Sequence, residues 1–206
     1  MDASLPSKPF WETAYQIPTG SAFGNPSDEI VALANVLPPG AAILDLGCGE
    51  GRNALFLAGR GFKVTAVDIS SHGIAKLNSL ATSSGIAVQA EVADMRSYSL
   101  VGLFDLIISH GCLHLIGRKE WQRVLEQIKA HTRVSGYNVV AVFTDRIPPP
   151  PDLEEFCVGL FHEGELFTHY ADWQITLQQS FIFQDEHPGG IRHTHPLNKI
   201  VARNMI

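Results

Sequence analysis

Apolar residues recur along this chain in short runs separated by stretches of helical period. The runs at residues 41–46, 62–67, 86–92, 103–109 and 137–143 are built largely from Val, Ile, Leu and Ala. Near-continuous apolar runs of this kind suit parallel strands covered on both faces. Between them the period changes to that of a helix. Ile30, Val31, Ala34 and Leu37 make one stripe, with Ser27 as an N-cap before it and Pro38-Pro39-Gly40 closing it. Leu55, Leu57 and Ala58 line a helix over 52–60, and Gly61 is a fitting C′ residue. Ile74, Leu77 and Leu80 line another over 72–81. The clearest amphipathic pattern spans 119–132: Trp121, Val124, Leu125 and Ile128 face Arg118, Glu120, Arg123, Glu126 and Lys129. Further on, 161–170 reads as helix, and 173–183 and 200–202 read as the last two strands. This alternation predicts an α/β domain: a seven-stranded, mostly parallel sheet with helices on both faces and a C-terminal antiparallel hairpin.

Two segments break the rhythm. Residues 1–26 form an arm ahead of a domain at 27–206. Its aromatic residues Phe10, Trp11, Tyr15 and Phe23 sit among Pro18, Gly20, Gly24 and Pro26, so they do not share one regular element. The arm reads either as a strap packed on the domain or as a lid that excludes water from a site. The run Pro148-Pro149-Pro150-Pro151 has no amide donors and cannot enter a sheet interior. It forces an extended passage, read as a substrate loop over the site or as a connector.

Composition narrows the partners more than the fold. With 45% hydrophobic and 17% charged residues in 206, the chain fits an ordinary globule. A net charge of −6 argues against a general nucleic-acid binder but suits a cationic ligand. Cys48, Cys112 and Cys157 are odd in number and far apart, which fits a reduced, cytoplasmic setting rather than a disulfide framework. The N-terminus lacks an apolar leader, and no apolar run approaches the ~18 residues of a membrane span. The expected partner is a small-molecule substrate, with neither nucleic acid nor membrane, in a monomer or homodimer.

The candidate chemistry centres on Ile43-Leu44-Asp45-Leu46-Gly47-Cys48-Gly49-Glu50-Gly51-Arg52-Asn53. A buried strand runs into a glycine turn and then a helix N-terminus, an arrangement that receives nucleotide-like ligands. A dinucleotide fingerprint would need glycine where Arg52 stands, and no Gly-Lys-Ser/Thr follows to make a P-loop. Asp68 ends the second strand, at the sheet edge where ligands sit, and reads as a ribose acceptor or as a helix cap. At the end of the fourth strand, His110 and His114 are four apart and would share a face if the turn is helical. They could be ligand contacts, a base or metal ligands. Spacing fixes no third ligand, so no metal is expected.

The run ILDLGCGEGRN resembles the first motif of class I S-adenosylmethionine-dependent methyltransferases, which have a Rossmann-like single-domain fold. The resemblance implies S-adenosyl-L-methionine as cofactor. Asp45, Leu46, Gly47, Cys48, Gly49, Arg52 and Asn53 would surround its amino-acid end. Asp68 would hold the ribose and Asp94 the adenine amino group, with Ile69 and Met95 packed on the ring. Ser109 and His110 would touch the cofactor near its sulfur, while His114 reads as structural. Phe10-Trp11-Glu12-x-x-Tyr15 is similar to the N-terminal arm of small-molecule methyltransferases, which places Trp11 and Tyr15 in a lid.

Further segments, LGCGEGRNALF, HTRVSGYNVV, EGELFTHYADW, 187–192 and Val201-Ala202-Arg203, resemble the tellurite-resistance methyltransferases from about Pro26 onward. In that family a His and an Arg on the last hairpin serve the substrate side, and they match His187 and Arg192 as catalytic candidates. The alternative for this hairpin, with His193 and His195, is a polar, solvent-facing turn. The chain departs from the family pattern in a shorter turn at 187–192 and in extra histidine around 110–115, both on the substrate side. The implied reaction is in-line methyl transfer to a small molecule, a metalloid oxyanion or another soft nucleophile such as tellurite, selenite or a thiol. Two alternatives are a non-catalytic S-adenosylmethionine-binding module and an NAD-dependent reductase, the latter opposed by Arg52.

Overall fold

The computed structural model describes residues 9–17, 21, 24–187 and 191–205. Phe23, Pro18, Gly20 and residues 188–190 therefore lie outside the described residues. The elements are α1 (Phe10–Ala14), α2 (Asp28–Leu33), β1 (Ala42–Leu46), α3 (Arg52–Gly59), β2 (Lys63–Asp68), α4 (Ser71–Ser83), β3 (Gln89–Val92), β4 (Phe104–His110), α5 (Arg118–Ala130), β5 (Thr132–Phe143), α6 (Glu165–Thr168), β6 (Gln174–His187) and β7 (Ile191–Arg203). The seven strands form one sheet in the order β3-β2-β1-β4-β5-β7-β6. β1 to β5 pair in parallel, and β7 runs antiparallel to both β5 and β6. Among the described residues no helix is long and apolar enough to cross a membrane.

The apolar runs follow from burial on both sheet faces. Leu44, Leu46, Ile107, Val140 and Val142 pack with Trp121, Val124, Leu125 and Ile128 of α5. Their strand neighbours Ile43, Ala66, Ile108, Val139 and Val201 pack with Ile30, Leu57 and Leu77 of the helices opposite. A residue on either face is inside, so the parity that marks a half-exposed strand is lost.

Four elements differ from the sequence reading. β3 has only four residues, half the reach of the apolar run at 86–92. It is an edge strand with little burial to fix its length. The stretch at 161–170 yields a single turn, α6, because Phe161 is drawn instead into a bridge with Thr144 beside the sheet. β5 begins at Thr132, with Ser135 at φ 67 and Gly136 absorbing a turn inside it. β7 runs through Ile191–Arg203, far longer than 200–202. The histidine-rich stretch thus belongs to a strand: His193 and His195 pair with β6, and from Leu197 onward β7 pairs with β5 as well.

The carboxyl ends of β1, β2, β3 and β4 share one edge. Strand order reverses between β1 and β4, and a crevice opens there, as it does in doubly wound sheets.

Candidate active site

The glycine turn is held by the end of β2. The Gly47 and Cys48 amides donate to the Val67 carbonyl at 2.8 and 3.0 Å. The Gly49 amide donates to Asp68 Oδ2 at 2.7 Å, and the Ser70 amide to Oδ1 at 2.8 Å. Each carboxylate oxygen keeps a lone pair for a ligand. Burial raises the Asp68 pKa, against the pull of those two amides. The glycines serve the protein before any ligand. Gly47 and Gly49 have φ of 77 and 57, and an added Cβ would lie 2.4 Å from Cys112 Sγ and 2.4 Å from Tyr15 Oη respectively. The space that glycine frees at position 49 is taken by the arm.

A cavity of about 1320 Å³ opens over this turn. Eleven of the fifteen residues that resemblance places at the cofactor line it: Trp11, Tyr15, Gly47, Cys48, Gly49, Arg52, Asp68, Ile69, Asp94, Met95 and His110. Asp45, Leu46, Asn53 and Ser109 are buried beneath it and are not in its lining. Asn53 Oδ1 accepts from the Ser27 amide at 3.1 Å and fixes the start of α2. Ser109 Oγ sits 3.2 Å from Cys112 Sγ. Burial pushes the Asp45 carboxyl up to about 7, with Arg52 opposing and Asp68 adding to the rise. The Asp94 carboxylate at the cavity wall is held by Arg96 Nε at 2.8 Å, and this hydrogen bonding keeps its pKa low.

His110 and His114 do not share a helix face. His110 ends β4, with Nε2 3.3 Å from Glu29 Oε1 and Nδ1 3.4 Å from an Arg52 nitrogen. Glu29 Oε2 also pairs with Lys199 Nζ at 3.0 Å. Burial raises the Glu29 pKa, but the hydrogen bonds from His110 and Lys199 outweigh it and bring the group down to about 2. Burial lowers the His110 pKa, against the pull of Glu29. His114 sits in the 3-10 turn Leu113–Leu115, its Nδ1 accepting the Phe143 amide at 3.2 Å. Burial, with His195 nearby, takes it down to about 3.

The rest of the cavity is aromatic. Phe143 is stacked between His114 at 4.1 Å and His195 at 4.4 Å. Phe181 and Phe183 continue this floor from β6. The segment after the proline run supplies the roof through Leu153, Phe156 and Cys157, and Phe156 meets Trp11 of the arm edge-on at 5.4 Å. Among the described residues, six carboxylates line the cavity (Asp28, Glu29, Glu50, Asp68, Asp94 and Glu155) against three cations, Arg52, Arg96 and Lys199.

The hairpin differs from its sequence reading. Arg192 is exposed and does not line the cavity, and the side chain of His187 lies outside the described residues. His193 and His195 do not face solvent, being 3% exposed each. His193 Nε2 meets Asp152 Oδ2 at 3.0 Å, while His195 lines the cavity. Among the described residues no group of three His, Cys, Asp or Glu is placed to hold a metal ion. Glu29, Phe143, Phe183 and Lys199 went unread as site residues in sequence, and His195 was read as part of a polar turn. The signal was there for two of them, His195 and Lys199: His193-x-His195-x-Leu197-x-Lys199 has the period of two that puts alternate residues on one strand face.

A family model described as tellurite resistance protein TehB matches residues 10–186. The probable S-adenosyl-L-methionine-dependent methyltransferase TehB of Haemophilus influenzae is 31% identical over 149 residues, 71% of this chain and 50% of that protein. The 2-heptyl-1-hydroxyquinolin-4(1H)-one methyltransferase of Mycobacteroides abscessus is 28% identical over 135 residues, 65% of this chain and 59% of that protein. The chain spans about half the length of the curated relatives it matches. The crystal structure of TehB from Haemophilus influenzae superposes with a TM-score of 0.77 at 26% identity, covering 86% of this chain and 62% of that one. A methyltransferase from Methanosarcina mazei, at 22% identity, shares the fold with a TM-score of 0.67 over 85% of this chain and 97% of its own.

Proposed function

The chain belongs to the tellurite resistance protein TehB family, and from that premise we propose that it transfers the methyl group of S-adenosyl-L-methionine to a small-molecule soft nucleophile. The observation that carries this reading is Asp68. It anchors the glycine turn through one oxygen and the start of α4 through the other, and it faces a cavity large enough for cofactor and acceptor together.

The residues present fit the cofactor. Asp68 retains acceptor capacity for two vicinal ribose hydroxyls. Ile69 is 58% exposed beside Asp94 and Met95, which gives an adenine an apolar face and an acceptor. The excess of carboxylates over cations in the lining favours a ligand that carries a sulfonium. Trp11 and Tyr15 bring the arm over the turn, which supports its reading as a lid.

When bound, S-adenosylmethionine supplies a methyl group on a positively charged sulfur. The chain's part is to hold the ribose at Asp68, exclude water with the arm and the 153–157 segment, and align the acceptor in line with the methyl group. Alignment of this kind can supply most of the rate. Thiols and the tellurite and selenite oxyanions are all candidate acceptors, since soft nucleophiles need little general base. For the acceptor side, family likeness offers His187 and Arg192, and the cavity offers His114 and His195. The second pair has the better support, because it lines the chamber and Arg192 does not.

Titration calorimetry with S-adenosylmethionine and S-adenosylhomocysteine tests the cofactor. Micromolar binding is expected, with a loss of tenfold or more in Asp68→Ala. An Asp68→Ala protein that binds as well as the parent sinks the reading. Labelled methyl transfer to thiols, selenite and tellurite then separates an enzyme from a silent binding module.

A further inference from the structure

The cavity divides along the sheet. Over β1 to β3 it presents the glycine turn, Asp68 and Asp94. Over β4, β5, β7 and β6 it presents rings. The floor there is the stack His114–Phe143–His195, with rings 4.1 and 4.4 Å apart, and Phe183 lies 5.3 Å from His195. The roof is Leu153, Phe156 and Trp11. An oxyanion would need a cation aimed into this half, and the charges run the other way. The Lys199 ammonium is drawn to Glu29 at 3.0 Å, and an Arg52 nitrogen donates to the Asn25 carbonyl at 2.8 Å. The hairpin arginine that could have held an anion is exposed outside the cavity.

We infer that the acceptor is an uncharged molecule bearing an aromatic ring, bound in the slot between the His114–Phe143–His195 floor and the Phe156 roof, and not a metalloid oxyanion. This rests on the methyl-transfer reading and narrows its substrate class. The floor histidines support it because both are buried and their rings lie nearly parallel to Phe143, at 26° and 12°, so the stack is flat. Both faces of Phe143 are already covered by imidazoles. The acceptor ring therefore packs on the outer faces and edges of the stack and against Phe183, in offset or edge-on contacts. Its nucleophilic atom then points along the floor toward the glycine turn. In the transfer the acceptor's lone pair forms the new bond to the methyl carbon. The carbon–sulfur bond of the sulfonium breaks with its electrons kept by sulfur, leaving neutral S-adenosylhomocysteine. A thiol or hydroxyl acceptor releases its proton to water, and a ring nitrogen without one leaves as a cation that the cavity's carboxylates favour.

The test uses the full chain saturated with S-adenosylhomocysteine, whose binding is measured first by calorimetry. Benzyl mercaptan and mercaptoacetate carry the same thiol and differ in ring and charge, and sodium selenite serves as the oxyanion. Benzyl mercaptan is expected to bind at least tenfold more tightly than mercaptoacetate or selenite. Phe183→Ala and Phe156→Ala should each weaken it about tenfold, while Phe183→Leu retains most of it. Equal or tighter binding of mercaptoacetate or selenite overturns the inference. So does benzyl mercaptan affinity unchanged in both alanine variants. Failure of the cofactor to bind, or of label to reach any acceptor, counts against methyl transfer itself and is read separately from the thiol comparison.

Discussion

At Gly49 the backbone has φ +57, and a Cβ there would lie 2.4 Å from Tyr15 Oη. Alanine in the left-handed region costs roughly 1–2 kcal/mol before any clash. Gly49→Ala should therefore lose about that much stability and at least tenfold in cofactor affinity, because the arm residue that closes the turn is pushed away. Adding Tyr15→Phe removes the clashing oxygen and should restore part of the affinity but little of the stability. Calorimetry on the single and double variants separates the two losses; equal affinity in the parent and Gly49→Ala would disprove the contact. His114 makes a second residue-level case. Burial, with His195 nearby, holds its folded pKa near 3, below the usual value of 6.5. A lowered histidine pKa gives stability that is present above about pH 6.5 and is lost as pH falls toward 3. The slope for one such group is at most about 1.4 kcal/mol per pH unit. His114→Gln keeps an acceptor for the Phe143 amide and does not titrate. Its melting temperature should fall less steeply than the parent's between pH 6.5 and 4. Parallel acid limbs would show that His114 is not the group that titrates.

Among the elements, α5 is the one whose sequence pattern and packing agree most fully. Its stripe Trp121, Val124, Leu125 and Ile128 is entirely inside, and Trp121 stacks on Phe161 at 3.8 Å with rings 20° apart. Trp121→Ala should cost about 3–5 kcal/mol, as large aromatic truncations in cores do, and Trp121→Phe clearly less. Urea melts give both values, and a loss under 1 kcal/mol would mean that the stack collapses without a cavity. The parallel half of the sheet was legible for the same reason as α5: burial writes near-continuous apolar runs at β1, β2 and β4. The antiparallel half was not. The inward face of β7 carries His193, His195 and Lys199, which pair with Asp152, stack on Phe143 and bind Glu29, so polarity there marks a lined cavity and not a loop. The glycine turn and Asp68, which line the cavity, stand out in local sequence, and family resemblance supplies the cofactor roles proposed for them. The proposed acceptor wall does not stand out, because Phe143 meets His195 and Phe183 only through the pairing of β5 with β7, strands distant in sequence.

For the molecule as a whole, the proposed cofactor site joins pieces that are distant in sequence. The arm reaches the core through Tyr15 at Gly49 and through Glu12 Oε2, 2.6 Å from His72 Nδ1. The roof segment meets the arm through Phe156 and Trp11. A ligand that touches the glycine turn, Asp68, the arm and the roof binds only when all are in place, so its binding energy adds to folding stability. At a concentration of S-adenosylhomocysteine one hundred times its dissociation constant, the gain is about 2.7 kcal/mol. For a chain of this size that raises the melting temperature by roughly 5–10 °C. The rise should grow with the logarithm of ligand concentration and should fall to about half in Asp68→Ala at the same concentration, where a tenfold weaker binding leaves about 1.4 kcal/mol of the gain. Trp11→Ala should show an intermediate rise, because one clamp is lost and the ribose anchor remains. A full shift in Asp68→Ala would place the cofactor elsewhere, and a full shift in Trp11→Ala would make the arm a strap that the ligand never meets.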